Sequence, residues 1–486
     1  MNQAIRRTWV AVVLLMAIVL GATTYVQFFA ADSLNNNPLN NRQLIANYGN
    51  ARGAILVDGK PVAESVKNQD GSQFAYRRVY HDPELYSGLT GYYSFSSGST
   101  QLESSMESTL SGTSDSQFFN RLADLFTGAS SQGANVELTI DPKVQKAAYD
   151  ALPDGFKGSV VVTEPKTGKI LAMVSKPSYD TNLMAVQSTS QLAKNKEELS
   201  QQSGLALNWN PAVYDRVSPG SSFKLLVLAA GLETGYFTVD GTYNNSTSWT
   251  PPGTSKKLSN FDGGICSSQP DKASLKFIVA QSCNTPFAEG VQTIGQKKMD
   301  EVATAFGFNS KPSDLGLAPT SASVWPSDMS PANLSYASIG QYDVQATTLQ
   351  MNEVAMAIAN DGVLMKPQLV QQVSSPNLEV LQSFKAQKER DVIPSKVAND
   401  LTELMKQPVA SGTAMEAKVP GVDLAAKTGT AQIGSTNKVQ AWITGFAPAD
   451  DPQVAITVNV QNLTYQQSHG LTSQIMNKVE RAVFNK

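Results

Sequence analysis

An uncharged run from Thr8 to Ala31, opened by Arg6 and Arg7, constrains this chain more than any other feature. Trp9 to Ala22 is almost wholly apolar, and Tyr25, Phe28 and Phe29 follow. As a helix such a run has no polar face to turn to water, so it belongs in an apolar medium. At about 1.5 Å per residue it is long enough to cross a hydrocarbon core of about 30 Å. The two arginines place residues 1–7 on the cytoplasmic side, so the bulk of the chain is expected outside the membrane. A cleaved export signal is the competing reading. No clean Ala-x-Ala site follows the run, and under either reading the bulk is exported.

The exported part belongs to a chain of 486 residues, long enough for two or three domains with a sizeable core. With 38 basic and 41 acidic residues the net charge is −3, and no basic stretch exists to hold nucleic acid, so that partner class is excluded. The two cysteines, Cys266 and Cys283, and the two histidines, His81 and His469, have no metal-ligand spacing, so neither a metal nor a cofactor is expected. Both histidines read as surface or capping residues.

No internal repeat is evident. Asn35 to Asn50 is Asn-rich and reads as a linker leaving the membrane. Ala51 to about Gly133 is rich in Ser, Tyr and Gly and reads as a small separate domain, with Arg52-Gly53-Ala54-Ile55-Leu56 as a short strand. Val136 to Leu152 opens extended and turns helical, with Pro142 in the first turn. Gly158–Thr163 and Lys169–Val174 are β-rich runs joined by the turn Glu164-Pro165-Lys166-Thr167-Gly168. Gln187 to Gly204 is polar and reads as a surface excursion. Ser221–Leu232 and Lys272–Ala280 read as helices. Three strands follow near the C-terminus, at Val422–Ala431, Val439–Phe446 and Gln453–Gln461; in the last, Val454, Ile456, Val458 and Val460 share one face of a half-buried strand. Leu471, Ile475, Val479 and Val483 recur every four residues, the stripe of a closing amphipathic helix.

Two short motifs carry the chemistry. Ser221-Ser222-Phe223-Lys224 stands behind Ser218-Pro219-Gly220, and Lys427-Thr428-Gly429-Thr430 comes near the end. A serine with a lysine three residues on, followed later by Lys-Thr-Gly, marks serine acyl transferases that use lysine where others use histidine. Ser282-Cys283-Asn284 lies between them. Each motif alone is cheap to match: Ser435-Thr436-Asn437-Lys438 repeats the first, Lys166-Thr167-Gly168 the last, and Ser-x-Asn recurs at Ser33, Ser375 and Ser435. Order and setting discriminate. Lys166 and Ser435 fall in turns, whereas Ser221 opens an apolar helix.

A serine hydroxyl needs a neighbouring base. At the start of a helix, Ser221 has Lys224 one turn along on the same face. Burial, together with positive charge from Lys427, pushes an amine toward its neutral form. Free N–H groups at the helix start, with the N–H of Thr430 on a facing strand, suit a developing oxyanion. Ser282 can relay a proton to the leaving amine, and the amide of Asn284 can orient a substrate backbone. Lys427, Thr428 and Thr430 suit a substrate carboxylate. The plainer readings are an N-cap for Ser221, a solvated lysine for Lys224 and a helix-end cap for Ser282 and Asn284. A Ser-His-Asp triad finds little support, since His469 lacks an accompanying Gly-x-Ser-x-Gly elbow.

Together the three elements resemble the penicillin-binding transpeptidases. Flanking residues resemble the family too: Arg52-Gly53-Ala54-Ile55, Leu138-Thr139-Ile140-Asp141, Lys176-Pro177-Ser178-Tyr179-Asp180, Ser338-Ile339-Gly340-Gln341 and Gly445-Phe446-Ala447-Pro448. The likeness is greatest to the single-activity class B group, and within it to the penicillin-binding protein A type of actinobacteria. It implies an α+β chain with a cytoplasmic end (1–7), a transmembrane anchor (8–31), a linker and pedestal domain (32–135), and a β-lactamase-like transpeptidase domain (136–486) whose antiparallel sheet is flanked by helices. It implies Ser221 as nucleophile, Lys224 as its base and Ser282 as a further catalytic residue. Asn284, Lys427, Thr428, Gly429 and Thr430 would bind substrate. The implied partners are stem peptides ending in D-Ala-D-Ala, β-lactams, the membrane and a SEDS-family glycosyltransferase. D,D-carboxypeptidase activity and a β-lactam receptor are the alternative functions. The chain departs from the family at Asn210-Pro211-Ala212, at Tyr342 where glycine is common, and at Thr348 where proline is usual. For Cys266 and Cys283 two readings stay open: a bridge closing a loop of about 17 residues, for which chain entropy suggests about 3 kcal/mol, or free thiols with Cys283 buried.

Overall fold

The computed structural model of the protein describes residues 3–30, 34, 48–69, 74–114, 117, 132–260, 266 and 271–485. The apolar run forms the helix Gln3–Thr24, which continues through a wider turn, Tyr25–Phe29. None of its side chains is buried, and Leu14, Leu15, Val19 and Leu20 all face outward. Among the described residues it is the one helix long and apolar enough to cross a membrane. Ala31, the expected end of the span, and most of the linker lie outside the described residues.

A six-stranded sheet follows, in the order Val380–Ser383, Val370–Ser374, Asn135–Leu138, Ile55–Val57, Lys60–Lys67, Tyr76–Tyr80. Ile55–Val57 and Asn135–Leu138 run parallel, and the other pairs are antiparallel. Two of its strands come from far along the chain, so the region read as a separate unit is sealed by the hairpin 370–383. Arg52 and Arg78 are buried beside it. Their Nε atoms donate to the two oxygens of Glu103 at 2.6 Å each, and Tyr80 Oη donates to the same carboxylate at 3.2 Å.

The larger part is built on an antiparallel sheet in the order Ala425–Gln432, Lys438–Ala447, Val454–Thr464, Gly158–Thr163, Ile170–Lys176. Val160, Val162, Ile456, Val458 and Val460 pack with Val144 and Ala148 of the helix Pro142–Ala151 and with Ile475, Met476 and Val479 of the helix Leu471–Phe484. Asp141 caps the first of these helices, accepting from the N–H groups of Lys143 and Val144. The strand Val454–Thr464 is not half-buried as its alternation suggests. Ala455, Thr457 and Asn459 are buried too, because the helix Thr348–Ala359 covers the opposite face. Asn352 of that helix receives a bond from Thr163 Oγ1 at 2.8 Å and donates to Val161 O and Ala455 O, which satisfies its amide inside the core.

Beside the sheet stands a helical layer around Lys224–Thr234, whose residues 224–231 are all buried. A helix apolar on every side must be enclosed, and Leu275–Ala280, Thr285–Ile294, Gln296–Ala305 and Ser395–Ser411 enclose it. Two sequence expectations change. The polar stretch 187–204 contains the helix Thr189–Ser200, which buries Leu192 and Leu199 against Tyr92, Tyr179 and Met184. The expected helix from Lys272 is a short strand, Lys272–Ser274, and then the helix Leu275–Ala280, because Ser274 Oγ caps Phe277 N at 3.3 Å. The two off-order motif copies lie in turns: Lys166 makes an exposed ion pair with Asp451, and Ser435 is exposed at a hairpin tip.

Candidate active site

Gly220–Phe223 form a 3-10 turn that feeds straight into the helix Lys224–Thr234. A 3-10 turn eclipses side chains three residues apart, so Ser221 and Lys224 share a face more closely than in an α-helix. Ser222 is fully buried and its hydroxyl donates to Pro219 O at 2.7 Å, whereas Ser221 is partly open. Of the two adjacent serines, Ser221 alone offers its oxygen to a ligand.

The turn is clamped between backbones. Gly220 has φ +53°, and a Cβ there would lie 2.7 Å from the Thr430 carbonyl. A Cβ on Gly429 would lie 2.5 Å from Pro219 O. Gly220 N donates to Gly340 O at 3.0 Å, and Trp442 Nε1 to Ser218 O at 3.0 Å. These approaches bring the strand Ala425–Gln432 against Ser221. That strand is the edge of its sheet, so one row of its peptide groups faces the turn.

Lys224 is completely buried. Its Nζ donates to Asn284 Oδ1 at 2.7 Å, Ser282 O at 2.8 Å and Cys283 O at 2.9 Å. Lys427 is buried as well, with Nζ 2.7 Å from Ser282 Oγ and 3.0 Å from Thr428 O. Ser282 therefore joins the two amines, one on its carbonyl and one on its hydroxyl. It holds a left-handed φ of +58°, a strained position for a residue with a side chain. No carboxylate among the described residues enters this cluster. Burial, and then the charge of Lys427, push the Lys224 amine well below the usual lysine range. The three oxygens on it pull the other way but do not replace lost hydration of a full charge. Burial lowers Lys427 to about 7.

The profile of the penicillin binding protein transpeptidase domain matches residues 158–480, and that of the penicillin binding protein A dimerisation domain matches residues 52–136. The chain belongs to the penicillin-binding protein transpeptidase family. It is similar to peptidoglycan D,D-transpeptidase PbpA of Mycolicibacterium smegmatis, with 40% identity over 95% of this chain and 94% of that one. PbpA of Mycobacterium tuberculosis is 38% identical, again over 95% and 94%. Among solved structures, the imipenem acyl-enzyme complex of penicillin-binding protein A from M. tuberculosis superposes with a TM-score of 0.85 at 36% identity, covering 90% of this chain and all (100%) of that one. The D,D-transpeptidase domain of a peptidoglycan glycosyltransferase from Eggerthella lenta gives 0.77 at 30% identity, covering 90% and 99%.

In this penicillin-binding protein Lys224, Ser282, Asn284 and Lys427 thus converge on one hydrogen-bonded cluster, with Ser221 one turn before Lys224 and Thr428, Gly429 and Thr430 on the facing edge strand. Asn284 stands at the N-cap position of the helix Thr285–Ile294, yet its side chain makes no cap bond. Its oxygen goes to Lys224 and its nitrogen donates to Ser259 O at 3.1 Å. Cys266 and Cys283 are bridged, with Cα atoms 5.6 Å apart, inside the limit of about 7 Å. Tyr342, where the family commonly has glycine, has φ +59°, which accounts for the usual glycine. Two neighbours escaped the sequence reading. Thr413 Oγ1 lies 2.5 Å from Thr428 Oγ1, and Asn260 bonds the backbone of Asn284. Both sit in irregular loops with no motif of their own. Among the described residues no cluster of His, Cys, Asp and Glu has the make-up of a metal site.

Proposed function

We propose that this penicillin-binding protein is a peptidoglycan D,D-transpeptidase that works through a Ser221 acyl-enzyme and is blocked by β-lactams. The observation that carries this reading is the cluster itself: a partly open serine beside a buried amine whose ammonium form is disfavoured. Lys224 takes the Ser221 proton as Oγ bonds to the carbonyl carbon of the penultimate D-Ala. The N–H groups of Ser221 and Thr430 receive the oxyanion. The peptide bond then breaks as Ser282 relays the proton held by Lys224 to the departing amine, and D-Ala leaves. An acceptor amine attacks the ester and gives a proton to Lys224, which returns it to Ser221 Oγ as the crosslinking peptide bond forms. Lys427, Thr428 and Thr430 hold the substrate carboxylate, with Gly429 allowing the close approach, and Asn284 orients the stem peptide. A β-lactam carbonyl reacts the same way, but its amine stays tethered and the ester persists.

On this reading residues 1–7 are cytoplasmic, 8–31 cross the membrane, 32–135 form the linker and pedestal, and 136–486 the catalytic domain outside the membrane. The exposed apolar helix and Arg6 and Arg7 support that topology. A SEDS-family glycosyltransferase supplies the glycan strands. Two measurements test the reading. A fluorescent penicillin should label the wild type and Ser435→Ala, but not Ser221→Ala. With a D-Ala-D-Ala peptide and an added amine, crosslinked product is expected; release of D-Ala alone would make the chain a carboxypeptidase, and a stable acyl-enzyme without turnover a receptor.

A further inference from the structure

The helix Thr285–Ile294 begins at the residue that serves Lys224. The first N–H groups of a helix need acceptors, and an asparagine at the N-cap ordinarily supplies one from its own side chain. Asn284 does not, because its oxygen is 2.7 Å from Lys224 Nζ. Asn260, from a loop that precedes it by 24 residues, does so instead. Its Oδ1 accepts from Asn284 N at 2.6 Å and from Thr285 N at 3.0 Å. The amide is itself fixed: Nδ2 donates to Ser246 O at 3.2 Å, and the Asn260 backbone N–H donates to Thr247 O at 3.2 Å. Thr285 Oγ1 donates to the same Ser246 carbonyl at 2.8 Å. Asn260 is 5% exposed, so water does not compete for these bonds.

We propose that Asn260 is a positioning residue, which takes over the capping of this helix and so frees the Asn284 carboxamide to hold Lys224. The proposal rests on Lys224 acting as the base for Ser221. Lys224 is enclosed by the carbonyls of Ser282 and Cys283, by the Phe287 ring at 5.2 Å, and by Lys427 on the facing strand. Among the described residues Lys427 is the one charge acting on it, and no described carboxylate masks a change at Asn284.

The test is the acylation rate with a fluorescent penicillin as a function of pH, on the full chain, with melting followed in parallel. In Asn260→Ala, Asn284 can turn back to cap its own helix, and Lys224 loses an acceptor that favours its ammonium form. Acylation should fall about tenfold, the equivalent of one hydrogen bond, and its acid limb should move to lower pH. Asn260→Asp keeps the acceptor for both N–H groups and adds negative charge near Lys224. Its best rate should stay within about threefold of wild type, with the acid limb moved to higher pH. Opposite movement of the two limbs supports the proposal, since loss of folded protein lowers amplitude without moving a limb. An acid limb unmoved in Asn260→Asp overturns it, even if Asn260→Ala fails to fold. Labelling that survives in Ser221→Ala overturns the reading underneath instead, whatever the Asn260 variants do.

Discussion

Two of the places where the protein buries charged side chains treat that charge oppositely. Beside the N-terminal sheet, Arg52 and Arg78 share Glu103, and Arg52 Nη2 also lies 2.8 Å from Glu107. Burial alone would raise the Glu103 carboxyl, but Arg78 and Arg52 together hold it below the usual carboxylate range. At the active site two lysines are buried with neutral oxygens and each other, and no acid among the described residues balances them. Balanced charge resists any change of proton number, which suits a scaffold. Unbalanced like charge makes a proton easy to release, which suits a site that must take one from serine and return it.

Removing one charge from each place should separate the two designs. Glu103→Leu strands two buried arginines and should destabilise by about 3–5 kcal/mol, while the acylation rate per folded molecule stays within about twofold of wild type. Lys224→Met leaves no buried charge newly unpaired and strands only neutral acceptors, so melting should fall by less than in Glu103→Leu while acylation falls by at least about 10²-fold. Denaturant melts with penicillin labelling on the same samples read both quantities. If both variants lose stability equally, the contrast fails.

Glu480 sharpens the comparison as a buried acid with no partner of either kind. Neither carboxyl oxygen has a hydrogen bond, and burial, offset in part by Arg481, raises the group to about 8. Below the ordinary carboxyl value of about 4.5 both folded and unfolded states hold the proton, and nothing is lost. Between there and about 8 the unfolded chain releases a proton that the folded chain keeps, so stability falls as pH rises. Glu480→Gln should therefore stabilise by about 1–3 kcal/mol near pH 8 and by little near pH 4. A gain that does not depend on pH would show that Glu480 is ionised in the fold.

Local chemistry made much of this legible in the sequence. Ser221, Lys224 and Lys427 stand out because acyl transfer needs a nucleophile, a base and a charge in a set order. Pro142, with Asp141 before it, marks a helix start wherever it occurs. What escaped depends on distant pairing. Nothing near 370–383 reveals that it joins a sheet begun at Ile55. The alternation in 454–460 cannot reveal that a second helix covers its polar-looking face. Thr189–Ser200 looked irregular because only Leu192, Asn195 and Leu199 face inward. Asn260 was invisible because its role is defined by the residue it relieves, not by its own neighbours.

The central claim is that a buried, readily neutral Lys224 serves Ser221. Lys224→Arg tests it most directly, because arginine keeps the charge and stays protonated throughout the physiological range. Acylation by a fluorescent penicillin should be measured across the physiological pH window, where arginine stays protonated, on variant protein that melts as the wild type does. The account predicts no labelling at any pH in that window. Labelling at close to the wild-type rate would contradict it and leave Ser221 to be activated by another group.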